Sequence, residues 1–225
     1  MKKRGIILLF LLVFSFSLLF GQEIHTADRY MELVSNRYAG IRDYEANIEI
    51  RSGNHTMSGV VSYLTPSFIR IDFTRPAEQV IVFNGDALTI YLPDSRAVLN
   101  QPVAQNRRGM TAGAGSSGLS MLRRNYVASF VSGPHPEPLD GGGERVMRLR
   151  LTRRTSSEGF REIILTVNAD TRLIRRMEGT TLAETIVRFD FTNIRTNLGV
   201  PEQRFAYDTP PAASMFNNFL FRDSD

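Results

Sequence analysis

The chain has 225 residues, 42% of them hydrophobic and 22% charged, which is enough for one sizeable core and too apolar for a disordered polymer. It has no cysteine, which excludes disulfides, a thiol nucleophile, thiolate metal sites and a lipid anchor on an N-terminal cysteine. The formal charge of +4 overstates its basicity, because Lys2, Lys3 and Arg4 cluster in the first four positions.

Those three cations precede an uncharged apolar run, Ile6 to Phe20, closed by polar Gly21-Gln22-Glu23. A basic start followed by a run long for an h-region and short for a membrane span reads as a secretory signal peptide over residues 1–22. Without it, the 27 basic residues fall to 24 against 23 acidic ones, and no lysine remains. The arginines alternate with apolar residues along strands, as on a solvated face. No concentrated basic patch forms, and nucleic acid is not an expected partner.

Residues 26–40 read as a helix capped by Thr26, with Tyr30, Leu33, Val34 and Tyr38 along one face. The period then changes to two. In Asp43–Arg51, Tyr44, Ala46, Ile48 and Ile50 face one way and Glu45, Asn47, Glu49 and Arg51 the other. Strands are expected over Thr56–Leu64, over Ser67–Phe73 between Pro66 and Pro76, and over Glu78–Phe83 and Ala87–Leu92, joined at Asn84-Gly85-Asp86. Asp94–Asn100 adds another. Residues 101–118, with Gly113-Ala114-Gly115-Ser116-Ser117-Gly118, read as a mobile loop, and Leu119–Val131 as a second helix. A Pro- and Gly-rich loop spans 132–143. Strands resume around Met147–Leu151, Glu162–Val167, Leu173–Glu178 and Thr185–Ile194, and residues 201–225 are expected to wrap the edge. About ten successive strands without alternating helices form an antiparallel sheet, and so many strands in one sheet should curl toward a barrel. Residues 23–225 are read as one such domain.

Val80-Ile81-Val82-Phe83 and Ile163-Ile164-Leu165 are apolar on both faces of their strands. A sheet with one wet face needs only one apolar side, so something must cover the other. The two helices are the material at hand, either as a permanent core or as a lid over a cavity that admits an apolar ligand.

Motifs for catalysis do not assemble. Gly113-x-Gly115-x-x-Gly118 lacks the surrounding βαβ unit of a dinucleotide site, and Asp140 lies in a loop rather than at a strand end. Neither Ser116 nor Ser117 is framed as a nucleophile elbow. His25, His55 and His135 have no ligand-like spacing. The chain is read as a non-enzyme, with no catalytic residue, cofactor or metal.

Gly59-x-Val61-x-Tyr63-x-x-Pro66-x-Phe68-Ile69-Arg70-x-x-Phe73, then Pro76 and Asn84-Gly85-Asp86-x-Leu88-x-x-Tyr91-x-Pro93, resembles the LolA family of outer-membrane lipoprotein carriers. Leu119-Ser120-Met121-Leu122-Arg123-Arg124-Asn125 is similar to that family's next helix, and Asn197-x-Gly199-Val200 with Phe205-x-Tyr207-x-x-Pro210 to its closing segment. The resemblance covers roughly residues 26–212. It implies an α+β fold, an open and strongly curved antiparallel half-barrel of about eleven strands with a helical lid on the concave side. It also implies a periplasmic monomer that takes acylated lipoproteins from an inner-membrane lipoprotein-releasing ABC transporter toward the outer membrane, with an outer-membrane acceptor as a further candidate partner. Where the family carries an Arg before the Pro as a lid latch, this chain has Thr65, and Arg70 is the candidate substitute. The lipid cavity expected on this reading is lined by Leu33, Val34, Ile69, Ile71, Phe73, Val80, Val82, Leu119, Met121 and Leu122. The register of the strands is its weak step, since a slip of one residue reverses every face. A lipid- or lipoprotein-sensing regulatory domain and a ligand-free structural β-domain stand as alternatives on the same fold.

Overall fold

Alternation of apolar and polar residues drives most of this chain into strands, and the strands join in one open antiparallel sheet. The computed structural model describes residues 26–103, 115–156 and 158–219. The expected signal peptide, residues 1–22, lies outside the described residues, as does the 104–114 part of the expected 101–118 loop.

Helix α1 (Ala27–Ala39) begins where Thr26 Oγ1 accepts the backbone N–H of Arg29 at 3.2 Å, satisfying one of the free donors of the first turn. There follow β1 (Asp43–Ser52), β2 (His55–Leu64), β3 (Phe68–Arg75), β4 (Ala77–Phe83), β5 (Ala87–Leu92) and β6 (Ala97–Pro102). After α2 (Ser116–Asn125) come β7 (Tyr126–Phe130), the two-residue β8 (Glu137–Pro138), β9 (Arg145–Arg153), β10 (Phe160–Asn168), β11 (Ile174–Thr181), β12 (Ile186–Thr196) and β13 (Ser214–Asn217). The order across the sheet is β13-β6-β5-β4-β3-β2-β1-β12-β11-β10-β9-β7, with β8 paired to β9 off that path. The expected architecture stands, with thirteen described strands where the sequence leads one to expect about eleven.

Two elements differ from the sequence reading. The expected helix over Leu119–Val131 ends at Asn125, and Tyr126–Phe130 is strand β7 against β9. Tyr126, Ala128 and Phe130 alternate, and placing them beside Arg153, Leu151 and Leu149 buries an apolar row that a continued helix would leave half in water. The 132–143 loop is tied down: β8 pairs with Val146 and Arg145, and the carboxylate of Asp140 takes the fork of Arg176 at 2.6 and 2.9 Å. The Arg176 hydrogen bond, against a small burial penalty and helped by Arg188 and Arg148, holds the Asp140 carboxyl down at about 2.

The register sorts the sheet into two faces. Tyr44, Ala46, Ile48 and Ile50 of β1 sit opposite Tyr63, Val61, Gly59 and Met57 of β2, and the row continues through Ile69, Ile71 and Phe73 of β3 to Phe83 and Ile81 of β4. On the other side it passes through Phe189 and Phe191 of β12, Met177 of β11 and Leu165 of β10 to Leu149 of β9. This inner face meets Met31, Val34 and Tyr38 of α1 and Leu119 of α2 in one buried core.

The outer face is charged over β9–β12 and β1, where Arg176 and Arg188 both engage Asp190, and Arg195 engages Glu45. Over β3–β6 it mixes apolar Phe68, Val80, Val82, Tyr91 and Val98 with the Arg70–Asp72 pair, and it is covered by the chain's own C-terminal segment. The ring of Phe68 meets Phe205 at 5.6 Å and Tyr91 meets Tyr207 at 6.2 Å. The chain then reaches β13, which lies parallel to β6 at the sheet edge. That strap, rather than a helix, is the second cover that the two-faced apolar run of β4 requires.

Candidate functional site

The helices do not cover the inner face evenly. Tyr63 of β2 stacks on Tyr44 of β1 at 5.1 Å, forming a floor on which α2 starts. A Cβ on Gly115, the residue before α2, would lie 2.6 Å from Tyr63 Cζ and closer still to its hydroxyl oxygen, so the chain passes directly over that ring. At the far end of α2, the backbone N–H of Arg154 donates to Asn125 O at 2.8 Å. The second helix therefore spans the inner face from the end of β2 to the end of β9. At the Tyr63 end, the N–H of Ile174 donates to the Tyr38 hydroxyl at 3.1 Å, pinning α1 to the start of β11. Burial pushes the Tyr38 hydroxyl up to about 12 and that of Tyr44 well above its ordinary range, so this floor is neutral at physiological pH.

Beyond the floor the inner face is only half covered. Met57, Ile71 and Ile81 on one flank and Phe160, Met177, Val187, Phe189 and Phe191 on the other are apolar, face inward and are partly open. On β5 and β6 the pairing Ile90–Leu99 carries the row on toward the edge, again half-buried. This half-covered apolar row, lined by flexible or planar side chains on the inner face of the sheet, is the trough. The pairs Arg70–Asp72, Arg150–Glu162, Arg176–Asp190 and Arg195–Glu45 all lie on the outer face, away from the trough. Such a surface can take hydrocarbon.

The residues singled out from sequence divide three ways. Val34, Phe73 and Leu119 are buried in the closed core, and Ile69, Ile71 and Leu122 are half-buried against it. Leu33 and Met121 are half-buried on the flanks of their helices, outside that core. Val80 and Val82 fall on the opposite face, which corrects their expected place in the trough. Val82 pairs with Arg70 and Val80 with Asp72, whereas Ile81 pairs with Ile71 and Phe83 with Ile69. With β4 apolar on both sides, its sequence alone could not say which parity faces the helices.

Of the latch candidates only Arg70 is placed elsewhere, since the Thr65 side chain hydrogen-bonds the Tyr63 hydroxyl, beside the start of α2. Thr65 is exposed, and its backbone N–H donates to Arg42 O at 2.8 Å. Arg70 points outward: its Nε lies 2.9 and 3.0 Å from the two Asp72 carboxylate oxygens, and its Nη1 donates to Arg204 O and Ala206 O at 3.2 and 3.0 Å. Arg204 pairs with the same Asp72. Arg70 clasps the C-terminal strap and cannot latch a helix on the other side of the sheet.

The sequence profile of the family described as outer membrane lipoprotein carrier protein LolA matches residues 50–208, more than half of the chain. The chain belongs to the LolA family. Its similarity to an outer-membrane lipoprotein carrier protein of Leptothrix cholodnii is 26% identity over 186 residues, 82% of each chain. Among solved structures, an uncharacterised conserved protein of Thermus thermophilus matches with a TM-score of 0.54 at 12% identity, covering 83% of this chain and 98% of that one. A chain of the Pseudomonas aeruginosa MucA/MucB complex matches with a TM-score of 0.51 at 15% identity, covering 81% of this chain and 61% of that one. At these identities the structures share the LolA-type fold. Among the described residues no helix is long and apolar enough to cross a membrane.

The sequence reading misses the trough residues Met57, Ile81, Phe160 and Met177. The signal for Ile81 is present in the Ile69–Ile71–Phe73 alternation, once the β3–β4 hairpin is folded so that like faces meet. Met57 and Met177 lie on opposite flanks of the row, and their common face becomes visible only when β1 and β12 pair between them.

Proposed function

We propose that this protein is a periplasmic carrier that binds the acyl chains of lipoproteins in the trough and moves them from the inner toward the outer membrane. Membership of the LolA family and similarity to a protein named as an outer-membrane lipoprotein carrier support the reading. The observation that carries it is the half-covered apolar row running past α2, from Met57 and Ile81 to Phe160, Met177 and Phe189. Each methylene of an acyl chain leaving water contributes about 0.8 kcal/mol, so a lipid-modified protein needs such a surface to cross an aqueous space. Half-covered walls suit the task because the cargo must also leave. On the same reading, residues 1–22 export the chain, and an inner-membrane transporter and an outer-membrane acceptor are its partners.

The test begins with lipid extraction and mass spectrometry of the purified protein, where co-purified acyl species are expected. Substituting Ile71→Glu on the inner face should abolish uptake of a fluorescent acyl probe in a folded protein. Substituting Val80→Glu on the outer face should leave uptake within about twofold of wild type. Equal loss in both, or no loss in the first, removes the trough as the binding surface.

The fold shared with the MucB-containing complex favours a second reading, a regulatory domain that senses a lipid or a protein. Depletion in the source bacterium separates the two. A carrier leaves lipoproteins in the inner-membrane fraction, whereas a sensor changes gene expression with their distribution intact.

A further inference from the structure

We propose that Arg153 is the anchor for the oxygen-bearing head of the acyl ligand, an inference that rests on the trough being the acyl-binding surface. Along β9 the inner positions are Met147, Leu149 and Leu151, all buried and apolar. The next inner position, at the end of the strand, is Arg153, directly across from Tyr126 of β7. An arginine there breaks an otherwise continuous hydrocarbon wall. It stands at the same end of the sheet as Phe160, whose carbonyl accepts the Tyr126 hydroxyl at 3.0 Å.

The state of this guanidinium sets it apart. Its Nη1 is buried and finds no hydrogen-bond acceptor among the described residues. By contrast, Arg70, Arg150, Arg176, Arg188 and Arg195 all meet carboxylates on the outer face. Neither of the nearest candidate acceptors satisfies Arg153. The Tyr126 hydroxyl is committed to Phe160, and Glu158, close enough to raise that hydroxyl, forms no ion pair with Arg153 among the described residues. A guanidinium N–H withdrawn from water without an acceptor is costly, and the cost is relieved when an acceptor oxygen arrives.

The position defines that acceptor. Hydrocarbon lying along Phe160, Val187 and Phe189 would present its polar end at the close of β9, where an ester carbonyl or a carboxylate could receive the guanidinium. Arg suits either, because its planar fork donates to one or two oxygens and stays charged at any physiological pH. The ligand class is therefore a long-chain acyl group ending in an acceptor oxygen, whether the neutral ester of a glyceride or the anion of a free acid.

Three probes with the same twelve-carbon chain length test this on the intact protein by displacement of a fluorescent acyl reporter: laurate, monolaurin and dodecyltrimethylammonium. Wild type should bind at least one acceptor-headed probe about tenfold more tightly than the quaternary ammonium. Preference for laurate alone identifies an anionic head, and preference for monolaurin as well identifies the ester carbonyl. Arg153→Gln should erase that preference while keeping dodecyltrimethylammonium affinity within about twofold, and Arg153→Lys should retain part of it. Should Arg153→Gln not fold, the wild-type ranking decides, since equal affinity for all three probes overturns the anchor. Unchanged preference in a folded Arg153→Gln overturns it as well. Failure of wild type to bind any of the three overturns the acyl-binding reading itself, and the anchor with it.

Discussion

Two glycines show how single positions set the geometry around the trough. A Cβ on Gly59 would come 2.8 Å from Phe73 Cα and closer still to Asp72 O, both backbone atoms of the neighbouring strand. The register between β2 and β3 shifts at this point, between Ser58 and Gly59, and the two backbones approach too closely for any side chain. Gly115 is crowded in another way, because its obstacle is the ring of Tyr63 rather than backbone. Backbone cannot move aside cheaply and a side chain can, so the two sites should respond differently. Gly59→Ala is expected to cost about 1–3 kcal/mol in chemical denaturation, and Gly115→Ala less. A Gly59→Ala protein as stable as wild type would contradict the close approach of β2 and β3. Gly59 was legible in the sequence as a landmark of the family resemblance, but its cause was not. Nothing local to Ser58-Gly59-Val60 says that Asp72 will lie against it.

Elements were legible where one periodicity excluded the other. The α1 helix and strands β1 and β9 follow their patterns because each has one apolar face and a clear cap or turn at its boundary. The Leu119–Val131 run fails this condition, since Leu119, Leu122, Tyr126 and Phe130 satisfy a helical spacing while Tyr126, Ala128 and Phe130 satisfy a strand. Pairing with β9, distant in sequence, decides between them. Strand β4 presents the same difficulty for faces instead of types. Val80 and Val82 face outward, against expectation, and the strap over β3–β6 covers the apolar side chains placed there. The clasp that holds this strap gives Arg70 a definite task. Its Nη1 bonds to Arg204 O and Ala206 O, and both arginines converge on Asp72. Arg70→Ala should therefore speed amide hydrogen exchange across residues 202–218 by about tenfold or more, while α2 keeps its wild-type protection. Faster exchange in α2 with an unaltered strap would restore Arg70 as a latch for the helix.

On the scale of the whole molecule, one sheet supports two covers of different character. On the outer face the strap is tied by charged hydrogen bonds and ring contacts, and it ends as an added strand. On the inner face α1 and the start of α2 are sunk in a closed core with Met31, Val34 and Leu119 almost wholly buried, whereas the remaining wall stays half open. An acyl ligand thus has two conceivable ways in. It can displace the helices, exposing Val34 and Leu119 and sacrificing packing about as large as its own gain, or it can occupy the half-covered row with the core intact. The two routes differ in a local measurement, the exchange protection of α1. Filling the open row stabilises only the folded state, by about 2.7 kcal/mol at a ligand concentration one hundred times Kd, and so raises the thermal midpoint in proportion to the logarithm of laurate concentration. Displacing the helices weakens the apparent Kd but raises the midpoint by the same linkage, and it differs in that α1 amides lose protection as ligand binds. The buried state of Val34 and Leu119 argues for the first route, with a rising midpoint and unchanged α1 exchange when laurate is titrated into the intact protein. A rising midpoint with an exposed α1 would mean that the closed core is itself the binding site, and that the helices leave it whenever cargo arrives.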